Sequence, residues 1–371
     1  MGEEHTPQVP PERGRAGQTP DREAPALTAR GTPPGTPLRR REGDEIHTAP
    51  EFAVGEGDIR ADGAGRDAAG TSPWRDAWRR LLKNRLAVFG MVVVALVVLL
   101  SLVGPPIIEA ATGYSYSYMP TNDLARSQSF PPFTGPDGSF SWAHPFGTDS
   151  QGRDMLARVL IGGRISLMVG LIATLVSLAI GITYGAVAGY LGGKVDDLMM
   201  RVVDVLYSIP YMMIVIVLLA FFSSQSALGQ LVLLFVALGA VSWLTMARIV
   251  RGQVMSIKNQ EFVLAARATG VPVPKIIFRH LVPNVLGPVI VYATLTIPQV
   301  MLQEAFLSYL GLGVQAPLAS WGSLANDGIQ NIAVFPWQLI FPGVTMALTL
   351  FSLNFLGDGL RDALDPQMRK F

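Results

Sequence analysis

The stretch LAVFGMVVVALVVLLSLV, Leu86 to Val103, holds 18 consecutive residues without a charge. A helix of about 20 apolar residues crosses the ~30 Å hydrocarbon core of a bilayer. The run therefore reads as a membrane span. Arg75, Arg79, Arg80, Lys83 and Arg85 stand just before it. Cations gather on the cytoplasmic side of spans, which places the N-terminus inside.

The whole chain agrees with a lipid solvent. Of its 371 residues 50% are hydrophobic and 15% charged, and the mean hydropathy is +0.36. This is more apolar than an ordinary soluble domain. The net charge of +1 decides nothing, because topology follows where the cations sit. The chain has no cysteine, which removes disulfides, thiolate metal sites and a cysteine nucleophile.

Residues 1–72 differ from the rest. Nine prolines fall within the first 50 residues, and Phe52 is the one aromatic before Trp74. Such a segment buries too little apolar surface to offset its ordering entropy. It is expected to be a disordered cytoplasmic tail, either a solvated extension or a docking arm. It is not a secretory signal, since the first apolar run begins more than 80 residues in.

Four further uncharged runs follow, Ile165 to Gly193, Val205 to Ala247, Leu281 to Gln303 and Gly328 to Gly357. The second is too long for one crossing, and the polar break Ser223 to Gln230 divides it. The expectation is an all-α membrane protein with six spans and both termini cytoplasmic. Residues 73–164 would hold the first span, an external loop and an interfacial helix. Residues 165–371 would form a five-helix core with a cytoplasmic loop over 248–280.

Loop charges test this topology. Arg248 to His280 carries Arg248, Arg251, Lys258, Arg267, Lys275 and Arg279 against Glu261, whereas Ala305 to Phe335 has Asp327 as its one charge. That is the positive-inside asymmetry. Arg153, Arg158 and Arg164 run against it, and DMLARVLIGGR (Asp154 to Arg164) is read as an interfacial helix whose arginines snorkel to headgroups.

Within the second run Gly181, Gly185, Gly189 and Gly193 recur every fourth residue, placing small residues on one face for close helix packing. Pro210, Pro288 and Pro298 free backbone carbonyls at membrane depth, which neighbouring helices or cavity water must satisfy. Asp204, Arg248 and Asp358 fall at expected cytoplasmic ends. Glu304 does not, and with Gln299 and Gln303 it forms a polar cluster expected to line a pathway, alongside Pro210.

Motifs for chemistry are absent. AGYLGGKV (Ala188 to Val195) has Ala188 and Val195 where a phosphate loop needs glycine and Ser or Thr. The histidines His5, His47, His144 and His280 are scattered, and neither HExxH nor GxSxG occurs. No catalytic set, metal site or cofactor site is legible, and nothing points to a nucleic-acid partner. Such a chain is a passive pore, an ion-coupled carrier, or one subunit of a larger machine.

EFVLAARATG, Glu261 to Gly270, separates these options. Phe262, Ala265, Ala266 and Thr269 share one helical face, Gly270 is a C-terminal stop, and Pro272 and Pro274 block continuation. A short surface helix with small residues flanked by Glu261 and Arg267 suits insertion into a groove. Equally, the same residues suit a solvated linker.

EFVLAARATG followed by HLVPN resembles the EAA loop of bacterial ABC importer permeases. Ala265, Ala266, Gly270 and Pro283 fall on its pattern. Leu264 stands where glutamate is usual, His280 where isoleucine is usual and Val282 where leucine is usual. The segments His144 to Leu167, Val203 to Pro210, Glu304 to Gly322 and Asn354 to Pro366 resemble the C-type subunit of the dipeptide/oligopeptide/nickel branch. The likeness runs from about residue 74 to 371.

The resemblance implies a type I importer permease fold and an ATP-driven import machine for di- or oligopeptides, or alternatively nickel or another small solute. Its expected partners are a second homologous permease, two ABC ATPase subunits, an extracytoplasmic substrate-binding protein and the membrane lipid of a prokaryotic cell membrane. ATP hydrolysis would then lie on the partner subunits. Glu261, Ala265, Ala266, Arg267 and Gly270 become docking residues of a coupling helix. An ion-coupled carrier would show repeated spans and buried coupling carboxylates, and a membrane enzyme a clustered catalytic set.

Overall fold

Asn84 opens the first long helix. Its side chain accepts from the backbone N–H groups of Leu86 and Ala87 at 3.1 and 3.2 Å, capping orphan donors of the first turn. It thereby separates the short amphipathic α1 (Pro73–Lys83) from α2 (Arg85–Thr112). The computed structural model describes residues 73–113, 115–120, 129–135, 137–222 and 226–364. The tail expected over 1–72 and the last residues of the C-terminal motif lie outside them. Among the described residues, regular structure is helical apart from two isolated β-bridges, Thr134 to Phe140 and Thr148 to Asp154.

The helices that follow are α3 (Met155–Leu191), α4 (Gly193–Ser208), α5 (Tyr211–Phe221), α6 (Ala227–Ile257) and α7 (Glu261–Ala268). After α8 (Val273–Lys275), a π-helical turn over Ile276–Leu281 leads into α9 (Val282–Tyr309). Then come α10 (Trp321–Gln330) and α11 (Trp337–Leu364). Five helical segments are long and apolar enough to cross a membrane, and a sixth crossing exists if α4 and α5 are one broken span. Leu86, Val92, Leu96, Leu99 and Leu102 of α2, and Ile340, Val344 and Phe351 of α11, are all exposed. Apolar surface of this extent is stable against lipid and not against water.

Two sequence expectations change here. The uncharged run from Val205, expected as the third span, is not one continuous helix, because α4 and α5 meet at 80° across Ile209 and Pro210. A proline disfavours helical backbone in the residue before it, and Ile209 is extended at φ −85°, ψ 131°. The interfacial helix expected over Asp154 to Arg164 is instead the first turns of α3, so a boundary at residue 164 falls inside one helix of 37 residues. At 1.5 Å per residue this helix is about 55 Å long, well beyond the hydrocarbon thickness.

The glycine face of α3 packs along α6. A methyl group at Gly181 would stand 2.5 Å from Met246 Cγ, one at Gly185 would run into the carbonyl oxygen of Ala247, and one at Gly189 would lie 2.8 Å from Arg251 O. Gly239 does the same from α6, where a methyl would meet Val176 Cβ at 2.8 Å. Gly193 departs from the expected stripe. It begins α4 at φ +54° with open space around it, so it makes the turn and packs nothing.

Candidate functional site

Three groups of residues stand out, one at each end of the bundle and one between. At one end lies α7. Its Val263 and Ala266 are buried in an apolar cluster with Val254, Ile276, Ile277 and Leu281. Arg267 stacks on Tyr190 near the end of α3, with Cζ 4.8 Å from the ring centroid and Nε donating to the Tyr190 hydroxyl at 3.1 Å. Lys258 Nζ donates to Gly189 O at 2.9 Å, satisfying a carbonyl that the end of α3 leaves orphaned. Two cations thus clamp this loop onto one helix end.

Gly270 closes α7 at φ +74°. Val271 N–H donates to Ala266 O and Gly270 N–H to Arg267 O, both at 3.0 Å. This paired pattern is a Schellman motif, which needs a left-handed residue at the glycine. Glu261, Phe262, Leu264 and Ala265 remain exposed. The face expected to dock is therefore divided. Ala266 points into the chain and Arg267 is engaged with Tyr190, while Ala265 is free and flanked by Phe262 and Leu264. Leu264, the departure from the glutamate pattern, adds to an apolar outer surface. Sequence reasoning misses Tyr190 and Lys258 as parts of this site, because neither stands within the α7 pattern.

Between the ends, the bend at Pro210 opens a cavity of about 440 Å³ whose walls include Tyr207, Pro210, Tyr292, Thr296, Gln299 and Gln303. A neighbouring space of about 470 Å³ shares Tyr211, Gln299 and Gln303 with it. Neither wall carries a charged side chain. The sequence candidates Pro210, Gln299 and Gln303 come together here. At one margin Arg248 lies 4.2 Å over the Tyr207 ring and pairs with Asp204 at 2.6 Å.

Glu304 does not join them. One residue past Gln303, it is rotated about 100° round the helix and is 1% exposed. Its carboxylate accepts from the hydroxyls of Ser320 at 2.6 Å, Ser308 at 2.7 Å and Ser166 at 3.3 Å. The same Ser320 hydroxyl accepts from Ser323 N–H at 3.1 Å, capping α10. Glu304 thus pins α10 between α3 and α9, and a buried carboxylate is tolerated because its acceptors are met.

The other end of the bundle carries buried charge. Asp149 accepts from Arg153 Nε at 2.6 Å and from Arg158 Nη1, and also from the backbone N–H groups of Gln151 and Arg153 at 2.8 and 2.9 Å. Asp154 accepts from Ala157 N–H at 2.7 Å and pairs with His144 at 2.9 Å. Arg153 and Arg158 are 5% and 3% exposed, so they do not snorkel to headgroups. Among the described residues no group of three His, Cys, Asp or Glu is placed to hold a metal ion.

The described residues thus form a bent helical bundle with long apolar helices and an uncharged cavity beside Pro210. The chain belongs to the family described as the binding-protein-dependent transport system inner membrane component, which matches residues 181–370. Residues 72–132 match the N-terminal transmembrane domain of oligopeptide transport permease C. It is thus a multi-pass membrane permease that works within a multi-subunit transporter. The oligopeptide transport system permease protein OppC of Haemophilus influenzae is 47% identical over 300 residues, covering 81% of this chain and 90% of that one. The dipeptide transport system permease protein DppC of Bacillus subtilis is 44% identical over 297 residues, covering 80% and 86%. A chain of the MetNI methionine ABC transporter aligns with a TM-score of 0.45 and 18% identity over 56% of this chain and 96% of that one.

Proposed function

We propose that the chain forms half of the pathway of an ATP-driven importer of di- or oligopeptides, its other half being a second homologous permease. Both termini and α7 lie in the cytoplasm of a prokaryotic cell, and the end carrying Asp149 and α10 faces outward. Two ATPase subunits hydrolyse ATP beneath the membrane, and an extracytoplasmic binding protein delivers the cargo. The relatives at 47% and 44% identity are named for oligopeptide and dipeptide transport. The cavity wall fits that cargo, because amides, hydroxyls and aromatic rings hydrogen-bond and stack with peptide groups whatever the side chains.

The observation that carries the reading is the clamp between α7 and α3. Ala265, Phe262 and Leu264 offer a motor subunit a small and apolar surface, while Arg267 and Lys258 tie the same loop to Tyr190 and Gly189. A push on α7 is then delivered to the end of α3, and through the glycine face to α6 and the cavity wall. Ala265→Arg places a long cation on the exposed face, and Gly270→Pro demands φ near −65° where the backbone stands at +74°. In the complex reconstituted in liposomes, both variants are expected to insert normally and to lose ATPase stimulation by peptide-loaded binding protein. Full stimulation in both would overturn the docking role of α7.

A further inference from the structure

We propose that the bundle end opposite α7 holds a carboxylate-binding pocket, suited to the free acid end of a small ligand such as a short peptide. A recess of about 270 Å³ lies between the start of α3, the segment after α9 and α10, with Gln151, Arg153, Arg158, Ser323, Asn326 and Asp327 on its walls. The volume matches a residue-sized group. The site is separate from the larger cavity at Pro210 and does not depend on the coupling role of α7.

The charges on these walls are unevenly matched. The one carboxylate of Asp149 serves two guanidiniums, those of Arg153 and Arg158. The next carboxylate, Asp154, is engaged by His144 and the Ala157 N–H. Arg158 Nη2 has Asp327 at 3.9 Å, beyond hydrogen-bonding range, and the Asp327 side chain is 53% exposed. Arg158 Nε is buried without a hydrogen-bond partner. A buried guanidinium with unmet donors is costly, and a second carboxylate reaching Nη2 from the recess would make the charge-assisted hydrogen bond that Asp327 does not. Asn326 and Gln151 supply uncharged amide donors beside it.

Asp327 then acts as a loose placeholder. It is near enough to compete for Arg158 and too far and too solvated to satisfy it. An entering carboxylate displaces this weak contact and leaves the Asp149 pairs intact, so the buried network need not be taken apart for binding.

The test is calorimetric titration of the full-length chain in lipid nanodiscs with trialanine and with trialanine amide, which differ only in the terminal carboxylate. Trialanine is expected to bind at least about tenfold more tightly than its amide, an ordinary effect for one charge-assisted pair. Two exposed rim substitutions should act in opposite directions. Asp327→Asn removes the competitor and tightens trialanine roughly threefold to tenfold, and Gln151→Glu adds one and weakens it by a similar factor. Both leave Asp149, Arg153 and Arg158 in place, so folding is preserved. Equal binding of acid and amide overturns the proposal. So does discrimination that ignores both rim variants, which would put the ligand in the larger cavity, and so does an absence of trialanine binding.

Discussion

The two ends of the bundle solve different mechanical problems. At the Asp149 end, charges and hydroxyls are buried and multiply bonded. One carboxylate holds two arginines and two backbone N–H groups, and another holds three serines. At the α7 end, apolar Val263 and Ala266 anchor an otherwise exposed helix, and Arg267 on it and Lys258 just before it fasten this end of the bundle to α3. Buried polar networks have one good arrangement and lose much when a member is removed. A surface helix on two cationic contacts is held firmly enough to transmit movement, yet each contact is worth only about 1 kcal/mol. The first end is a fixed frame and the second a joint.

The sharpest way to break this contrast is Asp149→Ala. It leaves Arg153 and Arg158 buried with no shared carboxylate, and removing one partner of such a network costs about 3–5 kcal/mol. The protein is expected to lose most of its monodisperse fraction in detergent, with a large fall in the unfolding midpoint. An unchanged midpoint would show that solvent already screens these charges.

The glycine interface between the ends should respond less. Gly185→Leu forces a side chain against Ala247 O, Val250 and the Arg251 backbone, and overpacking of this kind costs about 1–3 kcal/mol. The same change at Gly193, where space is open but φ is +54°, strains the turn before α4 without parting α3 from α6. Comparing thermal midpoints and cross-linking between α3 and α6 separates the two. Equal loss of cross-linking in both would show that Gly193 packs after all.

How much of this is legible in the sequence depends on the range of the interactions. Span α2, the stop at Gly270 and the close-packing glycines follow from local period and spacing, and all are visible in the chain as written. The same reasoning groups Pro210, Gln299 and Gln303, which stand together on one cavity wall. It cannot orient them, since a period assigns residues to one face without saying what that face meets. Hence it groups Glu304 with Gln303, and Ala266 with Ala265, although each pair parts across its helix. Hydropathy sends Arg153 and Arg158 to the membrane surface because it counts charges singly. Asp149, the opposite charge nearest to Arg153 and Arg158 outside Asp154, is the available signal for a pair. The 80° turn at Pro210 exceeds what a proline in an apolar run announces.

The smallest expected effect probes the joint. Arg267 touches Tyr190 by ring stacking and by one hydrogen bond, while Lys258 holds Gly189 O independently. Arg267→Ala should therefore cost about 1 kcal/mol or less in stability and leave the Ala265 face free to engage a motor subunit. The consequence should appear in coupling, because the tie that α7 itself makes to α3 is slack while Lys258, just before it, still holds. Binding-protein-stimulated ATPase persists, while peptide moved per ATP falls severalfold. Arg267→Lys keeps the charge but not the planar stack, and is expected to behave like Arg267→Ala. Tyr190→Phe keeps the ring and loses only the hydroxyl, so it should fall between those variants and the native chain. If Arg267→Ala instead abolishes stimulation as completely as Ala265→Arg, the guanidinium contacts the motor directly and the joint is drawn at the wrong residue. A graded series of Tyr190→Phe, then Arg267→Lys and Arg267→Ala, with stimulation retained throughout, is what a mechanical tie requires.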